Sequence, residues 1–398
     1  MIVENGEAMN LRHLAYLACL PAMVVIMGCN SASAPRPGAA SPDLGTRFDA
    51  LVPGWLARSA VPGMQIAVIH QGAIAWHGSY GVADLQRSKP VTGLTLFNIG
   101  SVSKTVAAWG VLALVDQRAD LKLDSPVTPY LTRWRIPESE FDVNAVTLRR
   151  LLSHTSGLSM LPASESFTYP PSLEGILSTS YGAFGRLRQL RKPGTGFEYN
   201  NGNYVLLELL IEEVTHLGFA THMQRTVLDP LGMDVSTYAP ARDQLATPYD
   251  ENKRPLSQNH ADVGVASGGL YSTAMDLARF VAATMRGRDG SEPGKGILSP
   301  QTVARMIAAS EEAGGRYGLG YKMLPVSESL TLVGHDGANP GWKATFMAAP
   351  EKGVGIVVLT NSDVGGSIVA DIVCTWADWE AEIELTGLCK GAKPIPGR

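Results

Sequence analysis

The chain is sparing with cysteine, with charge and with long apolar runs. Four cysteines occur in 398 residues, and no two of them have the spacing of a zinc site. There is no His-Glu-x-x-His either, so neither a metal nor any other cofactor is expected. Charged residues make up 18%, the formal net charge is -4, and no basic run occurs. Phosphate binding needs clustered Lys and Arg, which removes nucleic acid as a partner. Gly-x-Ser-x-Gly is absent, so the nucleophile elbow of an α/β-hydrolase is excluded. The apolar fraction of 45% is that of a packed globule rather than a disordered chain.

The one long apolar run, Leu14 to Met27, is short for a bilayer span but suits the core of a signal peptide. The basic stretch Met9 to His13 precedes it, and Glu4 and Glu7 before that point to Met9 as the initiator. Ile26-Met27-Gly28-Cys29 resembles a bacterial lipobox, in which the cysteine is acylated; the plainer alternative is cleavage after Ala32 or Ala34. Residues 1–29 thus read as an export signal with a lipobox-like end, and 30–44 as a linker rich in Ala, Pro, Gly and Ser. The mature protein is expected in the bacterial periplasm or cell envelope, touching a membrane only through a lipid on Cys29. Cys374 and Cys389 remain, as a bridge in an oxidising compartment or as two thiols.

Alternating and apolar stretches place a hairpin at 64–70 and 73–77, with Gln71-Gly72 as its turn. Further strands are expected at 330–334, 342–349 and 354–360, the last two joined by a turn at Pro350 to Gly353. Helices are expected at 48–58 and 367–383, and in the middle at 106–115, 148–153, 204–216, 274–286 and 300–309. Gly218 and Gly287 serve as stops. The expected fold is mixed α/β (α+β): an antiparallel sheet flanked by the N- and C-terminal helices. Residues 45–118 and 266–398 would form one discontinuous domain and 119–265 an inserted helical domain, with a cleft between them.

Three groups of residues could carry chemistry. Gly100-Ser101-Val102-Ser103-Lys104 opens a helix with no polar face. Ser101 could be a plain N-cap, but a solvated Lys104 does not fit there, because a cation opposes the helix dipole and nothing keeps it wet. A lysine one turn from a serine is a general base beside a nucleophile. Pro193 to Asn201 is a turn running into a helix, and it holds the only Tyr-x-Asn of the chain, Tyr199-Asn200-Asn201. Either an asparagine caps the helix and Tyr199 packs, or the Tyr199 hydroxyl is a second proton carrier. His335-Asp336-Gly337-Ala338 lies between two strands, where small residues let a substrate lie along the backbone.

Taken together and in this order, Ser101-Val102-Ser103-Lys104, Tyr199-Asn200-Asn201 and His335-Asp336-Gly337 resemble the serine β-lactamase and penicillin-binding-protein superfamily. The nearest branch is that of class C β-lactamases, family VIII esterases and D-alanyl-D-alanine carboxypeptidases. Phe97 to Gly100, Leu151 to Leu158, Pro230 to Met233 and Ser267 to Thr273 are similar to that branch as well. The resemblance implies an acyl-enzyme on Ser101, with Lys104 and Tyr199 sharing the proton work. It also implies that Asn201 holds Lys104 and the substrate, that the Ser101 and Ala338 amides form an oxyanion hole, and that His335 and Gly337 line the substrate. Trp342 and His154 are better read as a packed aromatic and a structural histidine.

The sequence departs from class C β-lactamases, which have Lys-Thr-Gly where this chain has His335-Asp336-Gly337. No arginine lies between Arg316 and Arg398, and Lys343 is the nearby cation after the motif. This argues against efficient β-lactam hydrolysis. The expectation is a broad hydrolase of esters or D-amino-acid amides, carboxylesterase first. The alternatives are a D-alanyl-D-alanine carboxypeptidase or weak β-lactamase, and a cell-wall peptide binder without turnover.

Overall fold

The computed structural model describes residues 42–162, 172–180, 185–257, 264–385 and 389. The signal-peptide and lipobox readings, Cys29 included, lie outside the described residues. Helix α1 (Pro42–Ser59) leads into the hairpin β1 (Gly63–His70) and β2 (Ala73–Asp84), followed by short β3 (Lys89–Pro90) and β4 (Phe97–Asn98). Gln71 and Gly72 turn the hairpin with φ 52° and 66°, the doubly left-handed geometry that matches strand twist. Then come α2 (Val102–Gln117), α3 (Leu148–Leu152), α4 (Leu173–Ser178), α5 (Asn201–Thr215) and α6 (Phe219–Met223). The chain returns through β5 (Tyr271–Ser272), α7 (Ala274–Ala282), α8 (Pro300–Met306) and β6 (Lys322–Ser327). Strands β7 (Leu330–Asn339), β8 (Trp342–Ala349) and β9 (Val354–Thr360) and helix α9 (Gly365–Trp379) complete it.

The main sheet has seven strands in the order β3-β2-β1-β9-β8-β7-β6, antiparallel throughout. The early hairpin and the late strands therefore form one sheet, joined where β1 pairs with β9. Strands β1 and β9 are apolar at nearly every position because helices cover both faces. Met64, Ile66, Val68, Ile356 and Val358 pack with Phe48 of α1 and with Ile372 and Trp376 of α9. Ala67, Ile69, Val357 and Leu359 face the opposite way, into the core that holds α2 and α7. This is the expected antiparallel sheet with terminal helices on one face.

The differences lie at the ends of elements. Strand β7 runs to Asn339 rather than 334, carrying the His335 motif within the strand. Strand β6 was not expected; its Pro325 and exposed positions leave no apolar alternation, as an edge strand allows. Helix α5 stops at His216, which takes the left-handed conformation usually left to glycine, while Gly218 starts the next helix. Helix α7 ends at Ala282, five residues before Gly287. Helix α9 begins at Gly365 and ends at Trp379, short of 383. Cys374 and Cys389 are bridged, with Cα atoms 5.8 Å apart.

Phe48 is fully buried and stacks on Trp76 at 5.4 Å between ring centroids. Phe48→Ala is expected to cost about 3–5 kcal/mol of stability. Urea unfolding would report this as a lower midpoint at unchanged slope.

Candidate active site

The site starts with a turn. Gly100 has φ 50°, and its amide donates to Asn98 Oδ1 at 2.9 Å, which turns β4 sharply into α2. Asn339 of β7 donates to the same Asn98 oxygen at 2.8 Å, so strand and helix start are tied together. Ser101 occupies the N-cap position, yet its hydroxyl makes no cap bond. Lys104 Nζ meets it instead, at 3.1 Å.

Lys104 is 0% exposed in a helix buried from Val102 to Leu114. Its amine also donates to Asn201 Oδ1 at 2.8 Å and to the Ser267 carbonyl at 2.5 Å. As an ammonium Lys104 donates to all three oxygens; as a free amine it keeps two N–H donors for Asn201 and Ser267 and turns its lone pair toward the Ser101 hydroxyl. Asn201 is available because its neighbour does the capping. Asn200 Oδ1 accepts from Gly202 N at 2.7 Å, and Asn200 Nδ2 donates to the carbonyls of Leu158 and Ser159. The capping alternative for this loop is thus realised by Asn200, and Asn201 turns to Lys104 instead.

Lys104 Nζ lies 5.1 Å from the centre of the Tyr199 ring. The Tyr199 hydroxyl is buried and, among the described residues, has no partner at full hydrogen-bonding geometry. Burial pushes its pKa well above the ordinary phenol value; the nearby Ser101 hydroxyl counters part of that, and the Asp336 charge adds to it.

Two histidines brace this centre. His154 Nδ1 accepts from the Asn200 amide at 3.1 Å, so its proton is on Nε2. Its ring lies 4.5 Å from that of Tyr199, and burial pushes its pKa well below the ordinary value. His335 is 2% exposed. Its Nδ1 lies 2.7 Å from the Asp336 carbonyl and must donate to it, so Nε2 accepts from the Tyr317 hydroxyl at 2.9 Å. Burial first, then the Lys322 charge, push its pKa down to about 3. His335 is therefore neutral, with both nitrogens taken, rather than partly charged as its residue type suggests.

Gly337 lets β7 approach α2. A Cβ there would lie 1.9 Å from the Ile99 carbonyl oxygen and 3.1 Å from Ser101 N. A Cβ on Gly100 would lie 2.7 Å from Ala338 N. The Ser101 and Ala338 amides are thus neighbours across a contact only glycines permit. Trp342 packs edge-on against Phe97 at 6.0 Å.

The sequence reading missed Lys322, Glu208 and Tyr317. Lys322, first residue of β6, pairs with Asp336 at 2.5 Å and lies 5.9 Å from the Tyr199 ring centre. The cation beside the site therefore precedes the histidine motif in sequence, while Lys343 pairs with Asp363 at 3.4 Å. Tyr317 lies in a glycine-interrupted stretch, Tyr317 to Tyr321, and none of the three stands in a pattern that marks it out locally.

Since His154 and His335 refuse protons in the folded state, the unfolded chain binds more of them below the ordinary histidine pKa of about 6.5. Stability is therefore present above that pH and is lost as pH falls, by about 1.4 kcal/mol per pH unit for each histidine. Urea midpoints at pH 7, 6 and 5 check this, and His335→Gln should flatten the slope. A midpoint independent of pH would contradict the neutral assignment.

Among families of known proteins, the one described as Beta-lactamase matches residues 48–372. A beta-lactamase of Escherichia coli (strain K12) is 27% identical over 384 residues, covering 86% of this chain and 94% of that protein. Esterase EstB of Burkholderia gladioli is 27% identical over 341 residues, covering 77% and 80%. The solved structure of the octameric penicillin-binding protein homologue from Pyrococcus abyssi is similar with a TM-score of 0.69 at 25% identity, covering 83% of this chain and 76% of that one. With the family match running over most of its length, the chain belongs to the beta-lactamase family of serine hydrolases.

Proposed function

We propose that the chain is an exported carboxylesterase of broad range that forms an acyl-enzyme on Ser101, with D-amino-acid amides as a further substrate class. The observation that carries this reading is the hydrogen-bonded centre at Lys104. Its amine meets Ser101 Oγ and Asn201 Oδ1, and the buried Tyr199 hydroxyl lies beside Ser101. With Lys104 as the free amine, Ser101 Oγ attacks the carbonyl carbon and its proton passes to Nζ, directly or by way of the Tyr199 hydroxyl, which gives up its own proton as it takes one. The pair returns a proton to the leaving oxygen or nitrogen as that bond breaks. The backbone amides of Ser101 and Ala338 stabilise the tetrahedral oxyanion. Water then hydrolyses the ester on Ser101. Asn201 orients Lys104 and the substrate, and the neutral His335 shapes the strand beside it.

His335 supplies no charge for a substrate carboxylate, which favours neutral esters over β-lactams. Lys322 favours a second reading, since its cation at the mouth suits a carboxylate-bearing substrate of a D-alanyl-D-alanine carboxypeptidase or weak β-lactamase. Peptide binding without turnover fits less well, because a binder needs neither a buried amine on a serine nor a buried phenol beside it. The domain division at 45–118, 119–265 and 266–398, with the substrate cleft between insert and sheet, belongs to this proposal. So does residence in the periplasm or cell envelope, with a lipid anchor at Cys29; the Cys374–Cys389 bridge suits an oxidising compartment.

Intact mass after exposure to a fluorophosphonate, alongside turnover of a short-chain aryl ester, tests the assignment. Both are expected in the wild type and lost in Ser101→Ala. Tyr199→Phe should lower kcat by about 10²–10⁴-fold. A long-lived penicillin adduct would shift the reading to the cell-wall peptidase, and no adduct with any reagent would end the catalytic claim. Gly337→Ala puts its Cβ against the Ile99 carbonyl and should separate the oxyanion donors, lowering kcat by about 10²-fold or more. Unchanged turnover in that variant would remove the oxyanion role from Ala338.

A further inference from the structure

Glu208 lies seven residues after Asn201 on α5, two helical turns along, so both project from one side of that helix. Its side chain is 2% exposed. An acid so deeply buried needs bonded partners, and both of its oxygens have them. Oε1 accepts from the Gly264 amide at 2.9 Å and Oε2 from the Ala266 amide at 2.7 Å. These amides belong to one tight turn, the short helix Val265–Ser267 entered through Gly264 at φ 74°. The last residue of that turn, Ser267, offers its carbonyl to Lys104 at 2.5 Å. The Ser267 hydroxyl closes the turn on the Gly264 carbonyl at 3.0 Å, and Asn339 donates to the Gly268 carbonyl at 3.1 Å.

Building on the acyl-enzyme reading of Ser101, we propose that Glu208 is a positioning residue which, through the Gly264 and Ala266 amides, holds the Ser267 carbonyl on Lys104. Helix α5 then sets two acceptors of the catalytic amine, one directly through Asn201 and one through the clamped turn. The amine meets Ser101 only while its other hydrogens are directed elsewhere, so the acceptors fix where its third position points. A displacement of about 1 Å in such a group is enough to cost about 10²-fold in rate. Glu208 touches neither Ser101 nor the space in front of it, so its effect is on chemistry rather than on substrate binding.

Glu208→Gln keeps the size of the side chain but turns an NH₂ toward one of the two amides, breaking one bond of the clamp. The measurements are melting temperature, KM and kcat on a short-chain aryl ester, and the rate of fluorophosphonate labelling of Ser101. Expected is a folded variant whose kcat and labelling rate both fall about tenfold or more, while KM stays within about twofold. Glu208→Asp keeps the carboxyl group but falls one methylene short of the amides; it should show the same split, and it stands in if the glutamine variant does not fold. If either folded variant keeps wild-type kcat and labelling rate, the positioning role is wrong while the acyl-enzyme reading stands. A loss shared between KM and kcat and tracking the melting temperature would reduce Glu208 to a structural acid. Wild-type protein that does not label would end the Ser101 reading, and this inference with it.

Discussion

The structure turns on the burial of one amine. Lys104 sits with no exposure in a helix that is apolar on all sides. A cation there would cost several kcal/mol without compensation, so the chain must bring oxygen atoms to it. They come from the start of its own helix, from Asn201 97 residues on, and from Ser267 163 residues on. Supplying those acceptors aligns three distant segments, and the site is what they form when aligned. The sheet adds the fourth side: Gly337 and Gly100 let β7 press its backbone against the helix start.

Much of this frame is legible in the sequence because it rests on local patterns. Strands β1, β8 and β9 are apolar runs bounded by turn residues, and α2 announces itself by having no polar face. Lys104 stands out because a solvated cation conflicts with its surroundings, and Ser101, Tyr199 and Asn201 stand out by their spacing and order with it. Element ends are less legible. Helix α7 closes when the Ala283 amide reaches back to the carbonyls of Arg279, Phe280 and Val281, which needs no glycine. Helix α5 ends on His216 in the left-handed conformation, which is uncommon for any residue but glycine and so is not marked by the sequence.

Glu208 and Lys322 were hidden for a different reason. Each is a single charged residue in an unremarkable stretch, and its meaning lies in a partner that only tertiary packing supplies. Glu208 reads as one more acid on a helix until the Gly264 and Ala266 amides are seen against it. Lys322 begins a strand that its own sequence does not predict, opposite Gly334 in the register. The ionisation of His335 is likewise a property of position: the residue type suggests a titrating group, and burial with two occupied nitrogens makes it a neutral one.

The neutral His335 and the charged Lys322 bear on the breadth of the proposed activity. A neutral ester makes no demand on either His335 or Lys322. An anionic substrate finds nothing at His335 and must share Lys322 with Asp336. That pair is exposed to solvent, with side chains 43% and 66% accessible, and such pairs hold together by about 0–1 kcal/mol. A substrate carboxylate could therefore displace Asp336 at little cost, but it would gain no more than a comparably weak, hydrated contact in return. Charge at this mouth then separates the two substrate classes by about fivefold at most, since each 1.4 kcal/mol is about tenfold. On the proposed reading, selectivity between esters and D-amino-acid peptides then rests on shape rather than on charge at this position.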